Sequence, residues 1–143
     1  MSTLKQLFFV LFINISSIAF AGISNKADTV DVHEVYRYIK CSGILYPDIV
    51  LRQAIWETGW FKSKHSIQKN NLFGFRYSKK YMSFDSWKAC IDYYKSWQLR
   101  KYTNPDEDYY KFLIRIKYAT SQKYISSLKS LKIEIPEVNC DEE

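Results

Sequence analysis

The chain has 143 residues, of which 47% are hydrophobic and 25% charged, with only four glycines and three prolines. That balance excludes a disordered tail, a collagen-like chain and a low-complexity linker, and it suffices for one domain with a buried core. The formal charge is +6 and 17% of residues are aromatic, among them twelve Tyr and four Trp.

Residues 1–21 read as a removable leader. Lys5 precedes an apolar run from Leu7 to Phe20, and Ala19-Phe20-Ala21 is a small-x-small cleavage site. The run is shorter than the ~20 residues of a spanning helix and is interrupted by Asn14, Ser16 and Ser17. We therefore expect export, to the periplasm or beyond, with cleavage near Ala21 and no integral membrane segment in the mature chain. Residues 22–29 are polar and expected to be flexible.

The first helix is predicted from Asp31 to Lys40, with Val32, Val35, Tyr36 and Ile39 at helical spacing and Thr29 or Asp31 as its cap. Pro47 opens a second helix, whose stripe is Val50, Leu51, Ala54 and Ile55. Continued one turn, that stripe reaches Glu57 and Thr58 before Gly59 stops the helix. Residues 62–69 suit a single helical turn. Aromatics flanking Ser78-Lys79-Lys80 suggest a hairpin or extended loop. A third long helix, capped by Ser83 or Asp85, carries Trp87, Cys90, Ile91, Tyr94 and Trp97, and Asn104-Pro105 breaks it. Tyr109, Phe112, Leu113 and Ile116 mark a fourth. A fifth starts at Thr120, with Tyr124, Ile125, Leu128 and Leu131 inward. The acidic segment 134–143 reads as a loose tail.

Glu57 is out of place on a buried stripe. Burial of a carboxylate raises its pKa, and an acid kept protonated near neutrality is what general-acid cleavage of a glycosidic bond requires. The plainer alternative is a helix-end Glu that faces water or pairs with Arg52. Aromatic residues outside the helix stripes, namely Trp60, Phe73, Phe75, Tyr77 and Tyr81, can line a groove for sugar rings around Glu57. Trp87, Tyr94 and Phe112 read as core.

The run Gln53-Ala54-Ile55-Trp56-Glu57-Thr58-Gly59-Trp60, followed by Asn70-Asn71-Leu72-Phe73-Gly74, resembles the glucosaminidase-domain family of peptidoglycan hydrolases. Tyr81-x-Ser-Phe-Asp-Ser-Trp87 and Tyr118-Ala-Thr-Ser-x-x-Tyr124 match that family's later motifs in order, so the resemblance covers residues 30–133. It implies an α+β, mostly helical, lysozyme-like fold of about five helices, with a small β-hairpin lobe flanking a substrate cleft. It implies hydrolysis of β-1,4 bonds in peptidoglycan glycan strands. By the same resemblance Glu57 is the catalytic acid and Tyr118 the aromatic residue near the reacting sugar. Asn71, Phe73, Gly74 and Tyr124, with Trp60 and Tyr81, become substrate-binding candidates.

Glycosidases commonly use a second carboxylate. Here the whole segment 58–84 contains no Asp or Glu, and Ser121 replaces the family's frequent Asp. Two routes stay open: attack by the substrate's own N-acetyl oxygen, or water held by another acid, with Asp85 the nearest candidate and Asp92 a less suitable one. A glycan-binding module that has lost the chemistry is the alternative function. Nucleic-acid binding, suggested by charge and by Tyr77-Ser-Lys-Lys-Tyr81, finds no recognition motif, and the charge suits an anionic cell envelope better.

No cofactor or metal is expected, because His33 and His65 have no ligand cluster at metal spacing and His65 reads as a solvent residue. A monomer is expected. One disulfide is permitted after export. Cys41 and Cys90, both on predicted helices, form a geometrically possible pair; the plainer reading leaves all three cysteines as unbridged small hydrophobes or tail residues.

Overall fold

Asp31 starts the first helix by accepting hydrogen bonds on its side chain from the amides of His33, at 2.8 Å, and Glu34, at 3.1 Å. In the computed structural model, which describes residues 30–121 and 123–141, this helix, α1, spans Val32–Cys41. The predicted leader and the stretch 22–29 lie outside the described residues. Val35 and Ile39 of α1 are fully buried.

Helix α2, Pro47–Thr58, begins with Pro47 and carries Val50, Leu51, Ala54 and Ile55 completely buried. It packs against α1 on one side and against α6, Tyr124–Ser130, on another. Arg52 of α2 donates to the carbonyls of Leu128, at 3.1 Å, and Leu131, at 2.7 Å. It thus satisfies the open carbonyls at the end of α6. The predicted turn at 62–69 is helix α3, Lys64–Gln68.

The hairpin β1, Arg76–Tyr77, pairs antiparallel with β2, Lys80–Tyr81, with Arg76 opposite Tyr81. Its turn residues Ser78 and Lys79 have φ of 46° and 68°, the left-handed pair that a two-residue hairpin loop requires. Helix α4 is Trp87–Lys101 and α5 is Tyr109–Arg115. The result is a mostly helical α+β fold with six helices and one small antiparallel sheet among the described residues.

Four expectations need correction. The cap of α4 is Ser86, which accepts from the Ala89 amide at 3.1 Å, rather than Ser83 or Asp85. The cause is upstream: the Met82 and Phe84 amides donate to Phe75 and Lys69 carbonyls, so the chain is still extended there. The last helix does not start at Thr120. Lys117, at φ 53°, ends α5 in a Schellman-type reversal, with the Tyr118 amide donating to the Leu113 carbonyl at 3.0 Å, and α6 begins only at Tyr124.

The disulfide joins Cys41 to Cys140, not to Cys90, which is free and buried in the core. The C-terminal segment, expected to be loose, is held by that bond, by Lys40 donating to the Val138 carbonyl at 3.2 Å, and by Ile133, Ile135 and Val138 packed on the core. No helix among the described residues is long and apolar enough to cross a membrane.

Candidate active site

Glu57 occupies the last turn of α2, one turn beyond the buried Gln53 and Ala54. The chain leaves this helix through three successive left-handed residues, Gly59 at φ 56°, Trp60 at 62° and Phe61 at 57°. For the two non-glycine residues this conformation costs roughly 1–2 kcal/mol each. It persists because Thr58 ties the turn: its hydroxyl donates to the Ala54 carbonyl at 2.7 Å and accepts from the Phe61 amide at 2.8 Å. The reversal buries Phe61 and leaves the Trp60 ring 44% exposed.

The Asn-Asn-Leu-Phe-Gly segment crosses in front of Glu57. Asn71 is buried, and its side chain stitches the base of the hairpin. Its amide donates to the carbonyls of Phe75 and Met82, both at 2.9 Å, and its oxygen accepts from the Phe75 amide at 3.0 Å. Gly74, at φ +67°, lets the backbone pass so close that a Cβ there would lie 3.1 Å from Glu57 Oε2.

Glu57 opens into a cavity of about 720 Å³. Phe73, Gly74, Arg76, Tyr81, Trp97, Lys101, Tyr118 and Thr120 are among the residues that line it. A smaller cavity of about 270 Å³ adjoins it, where Glu57, Gly74 and Tyr81 meet Ser63, His65 and Asn71. The Tyr118 hydroxyl donates to the Phe73 carbonyl at 2.9 Å, and its ring stacks on Tyr124 at 5.8 Å between centroids. Tyr124 is buried against that ring, near enough to Glu57 for its hydroxyl to favour the ionised carboxyl.

Burial pushes the Glu57 carboxyl above the ordinary carboxylate range, while the Tyr124 hydroxyl and the positive charge of Arg76 pull it partly back. Their own burial, reinforced by the Glu57 charge, raises the phenols of Tyr118 and Tyr124. Arg52 is committed to α6, so the simple Glu57–Arg52 pairing is not what the structure contains.

The structure thus gathers Glu57, Phe73, Gly74, Tyr81 and Tyr118 around the larger cavity and Asn71 around the smaller one that adjoins it, with Tyr124 buried against Tyr118. Trp60 and Asp85 line neither cavity: Trp60 is turned out by the left-handed reversal, and Asp85 is exposed on the loop before α4. Apart from Glu57, no Asp or Glu lines either cavity. Tyr77 is 78% exposed at the hairpin tip.

Sequence reasoning missed Arg76, Lys101 and Thr120, which carry no helical periodicity toward the site. His65 is exposed, yet its ring packs edge-on to Tyr81 at 4.9 Å beside Glu57. Arg76 also hydrogen-bonds the Tyr81 hydroxyl and lies over its ring, which fixes both at the cavity mouth. No group of three or more His, Cys, Asp or Glu able to hold a metal occurs among the described residues.

A family model, glucosaminidase (mannosyl-glycoprotein endo-beta-N-acetylglucosaminidase), matches residues 32–135. The chain belongs to the glucosaminidase family. The match runs from the first residue of α1 into the segment after α6, and so includes every residue of both cavities. No curated protein and no solved structure matches the chain significantly.

Proposed function

We propose that this glucosaminidase-family protein is an exported endo-β-N-acetylglucosaminidase that cuts β-1,4 bonds of peptidoglycan, with Glu57 as its general acid. The observation that carries the reading is a single half-buried carboxyl, raised above its usual range, where an aromatic-lined cavity meets a smaller polar one. A lysozyme-like division of labour, with the helical body on one side of the sugar and the hairpin on the other, is supported by the walls of the larger cavity. Tyr81 and Tyr118 offer ring surface to the sugars, and Arg76 and Lys101 offer positive charge to the carboxylates of wall peptides.

The chemistry follows from what surrounds Glu57. Protonated Glu57 gives its proton to the glycosidic oxygen as the C1–O bond breaks. With no second acid lining the cavities, the substrate's acetamido oxygen forms the new bond to C1, yielding an oxazolinium ion. Water then adds at C1, the ring opens to restore the acetamido group, and the water's proton returns to Glu57. Tyr118 has spent its hydroxyl proton on the Phe73 carbonyl, so its oxygen is left to accept the acetamido N–H and hold that group for attack.

The deciding experiment is Glu57→Gln on purified peptidoglycan. Release of reducing ends is expected to vanish while binding to the insoluble wall persists. Normal turnover by this variant would end the assignment. Wall binding without turnover by the wild-type protein would instead make it a glycan-binding module.

A further inference from the structure

The net positive charge of the chain resides in one short stretch. Lys62, Lys64, Lys69, Arg76, Lys79 and Lys80 fall between residues 58 and 84, where there is no Asp or Glu. The formal charge of the whole chain is +6, so everything outside this stretch is formally neutral.

The stretch folds into one knitted lobe. The Phe84 amide donates to the Lys69 carbonyl at 2.9 Å, the Asn70 side chain donates to the Phe84 carbonyl at 3.0 Å, and Lys69 Nζ donates to Ser83 Oγ at 3.3 Å. Together with the Asn71 bonds to Phe75 and Met82 and the ring contact of His65 with Tyr81, these fasten α3 to the hairpin. The six cations are therefore carried on one body.

None of the six forms a salt bridge with a carboxylate among the described residues. Several cations elsewhere are engaged within the fold: Arg115 pairs with Glu107 at 2.7 Å, Arg52 bonds the end of α6, and Lys129 lies over the Tyr110 ring. Lys62, Lys64, Lys79 and Lys80 are exposed, and a surface of one sign draws anions toward it.

Strand alternation divides this charge between two places. Arg76 and Tyr81, opposite each other in the hairpin, both line the larger cavity. Tyr77 and Lys80 pair at the next position, Lys79 occupies the turn, and none of these three lines a cavity. Ser63, between Lys62 and Lys64, lines the smaller cavity. Apart from Arg76, the lobe's cations thus lie beside the cavities and not in them. The rings of a sugar backbone carry no charge to meet them there. The carboxylates of peptidoglycan sit on peptides that branch from alternate sugars, and a branch leaves the cleft across its rim.

We propose that the lobe made by α3 and the hairpin is a docking surface for the wall-peptide carboxylates of the strand bound in the cleft, with Lys64, Lys79 and Lys80 as specificity-determining residues. The proposal deepens the peptidoglycan reading and rests on it: Glu57 cuts the glycan, and the lobe selects strands by the charge of their peptides.

The test uses the full chain carrying Glu57→Gln, so that binding is read without turnover. Two probes are compared by titration: soluble peptidoglycan strands with their native peptides, and the same strands after carbodiimide amidation of the carboxylates. Native strands are expected to bind about tenfold tighter at low salt, each exposed ion pair adding a factor of about two to three. That advantage shrinks as salt is added. The triple variant Lys64→Gln, Lys79→Gln, Lys80→Gln should bring the two probes to nearly equal affinity. A second triple variant, Lys95→Gln, Lys111→Gln, Lys132→Gln, removes the same charge from α4, α5 and the segment after α6, and should keep most of the preference.

A preference left intact in the lobe variant, or lost equally in the second variant, would overturn the proposal. So would the absence of binding to either probe, or tighter lobe-dependent binding to anionic phospholipid vesicles or single-stranded DNA than to native strands. Turnover by Glu57→Gln would remove the catalytic assignment without touching the difference between native and amidated strands.

Discussion

Gly74 and Glu57 are in near-contact across the site: the position a Gly74 Cβ would take lies 3.1 Å from Glu57 Oε2. Gly74 also has φ +67°, where an L side chain is strained. The closeness keeps bulk water from one face of the carboxyl and so contributes to its burial.

Gly74→Ala is therefore expected to act twice. Backbone strain costs about 1 kcal/mol of stability, and the methyl group displaces Glu57 from the cavity. Turnover on peptidoglycan should fall tenfold or more, far beyond what the small change in denaturation midpoint explains. Wild-type kcat with only the stability loss would show that the carboxyl tolerates displacement.

Glu57 makes stability depend on pH in a definite direction. Its folded pKa lies above the ordinary value, so the native state resists its ionisation. The protein carries no penalty from this group below the unfolded pKa and acquires one as pH rises through and beyond it. Glu57→Gln should therefore raise the melting temperature at neutral pH and leave it nearly unchanged in acid. Calorimetry at the two pH values checks this, and an equal effect at both would contradict the burial argument.

The proposed substrate-assisted route gives Asp85 no part, since it lines neither cavity. Asp85→Asn should retain most of the wild-type rate of reducing-end release. A rate as low as that of Glu57→Gln would require a two-carboxylate mechanism and a hairpin able to move toward the loop before α4.

The Cys41–Cys140 bond closes a loop across a sequence separation of 99 residues. Disulfides typically contribute about 2–4 kcal/mol, and a loop this long belongs at the upper end of that range or above it. Cys41→Ser, or mild reduction, should lower the denaturation midpoint accordingly and free the segment after α6 to proteases. Cys90, buried with its thiol pushed up to about 12, should resist alkylation in the folded protein.

Much of this arrangement is legible in the residues because it follows helical periodicity. The stripe Val50, Leu51, Ala54, Ile55 places Glu57 inward, and that position needs no tertiary information. Trp60 illustrates the opposite case. Three consecutive left-handed residues, two of them not glycine, turn its ring outward, and no propensity argument anticipates that combination.

The Ser86 cap is hidden for a related reason: hydrogen bonds from 82 and 84 back to 75 and 69 delay the helix. The cysteine pairing is set by a segment with no periodicity at all. Tyr94 reads as core from its helical spacing, and it is buried. The partners of its hydroxyl, Gln53 and Tyr109, are far apart in sequence and only the fold brings them together.

The placement of the two bridged cysteines also orders events during synthesis. Cys41 ends the first helix, and Cys140 lies beyond the last described one. No bond between them can form until the residues of all six described helices have been made. Oxidation therefore links the first helix to the segment that follows the sixth, and no shorter piece of the domain can acquire this cross-link.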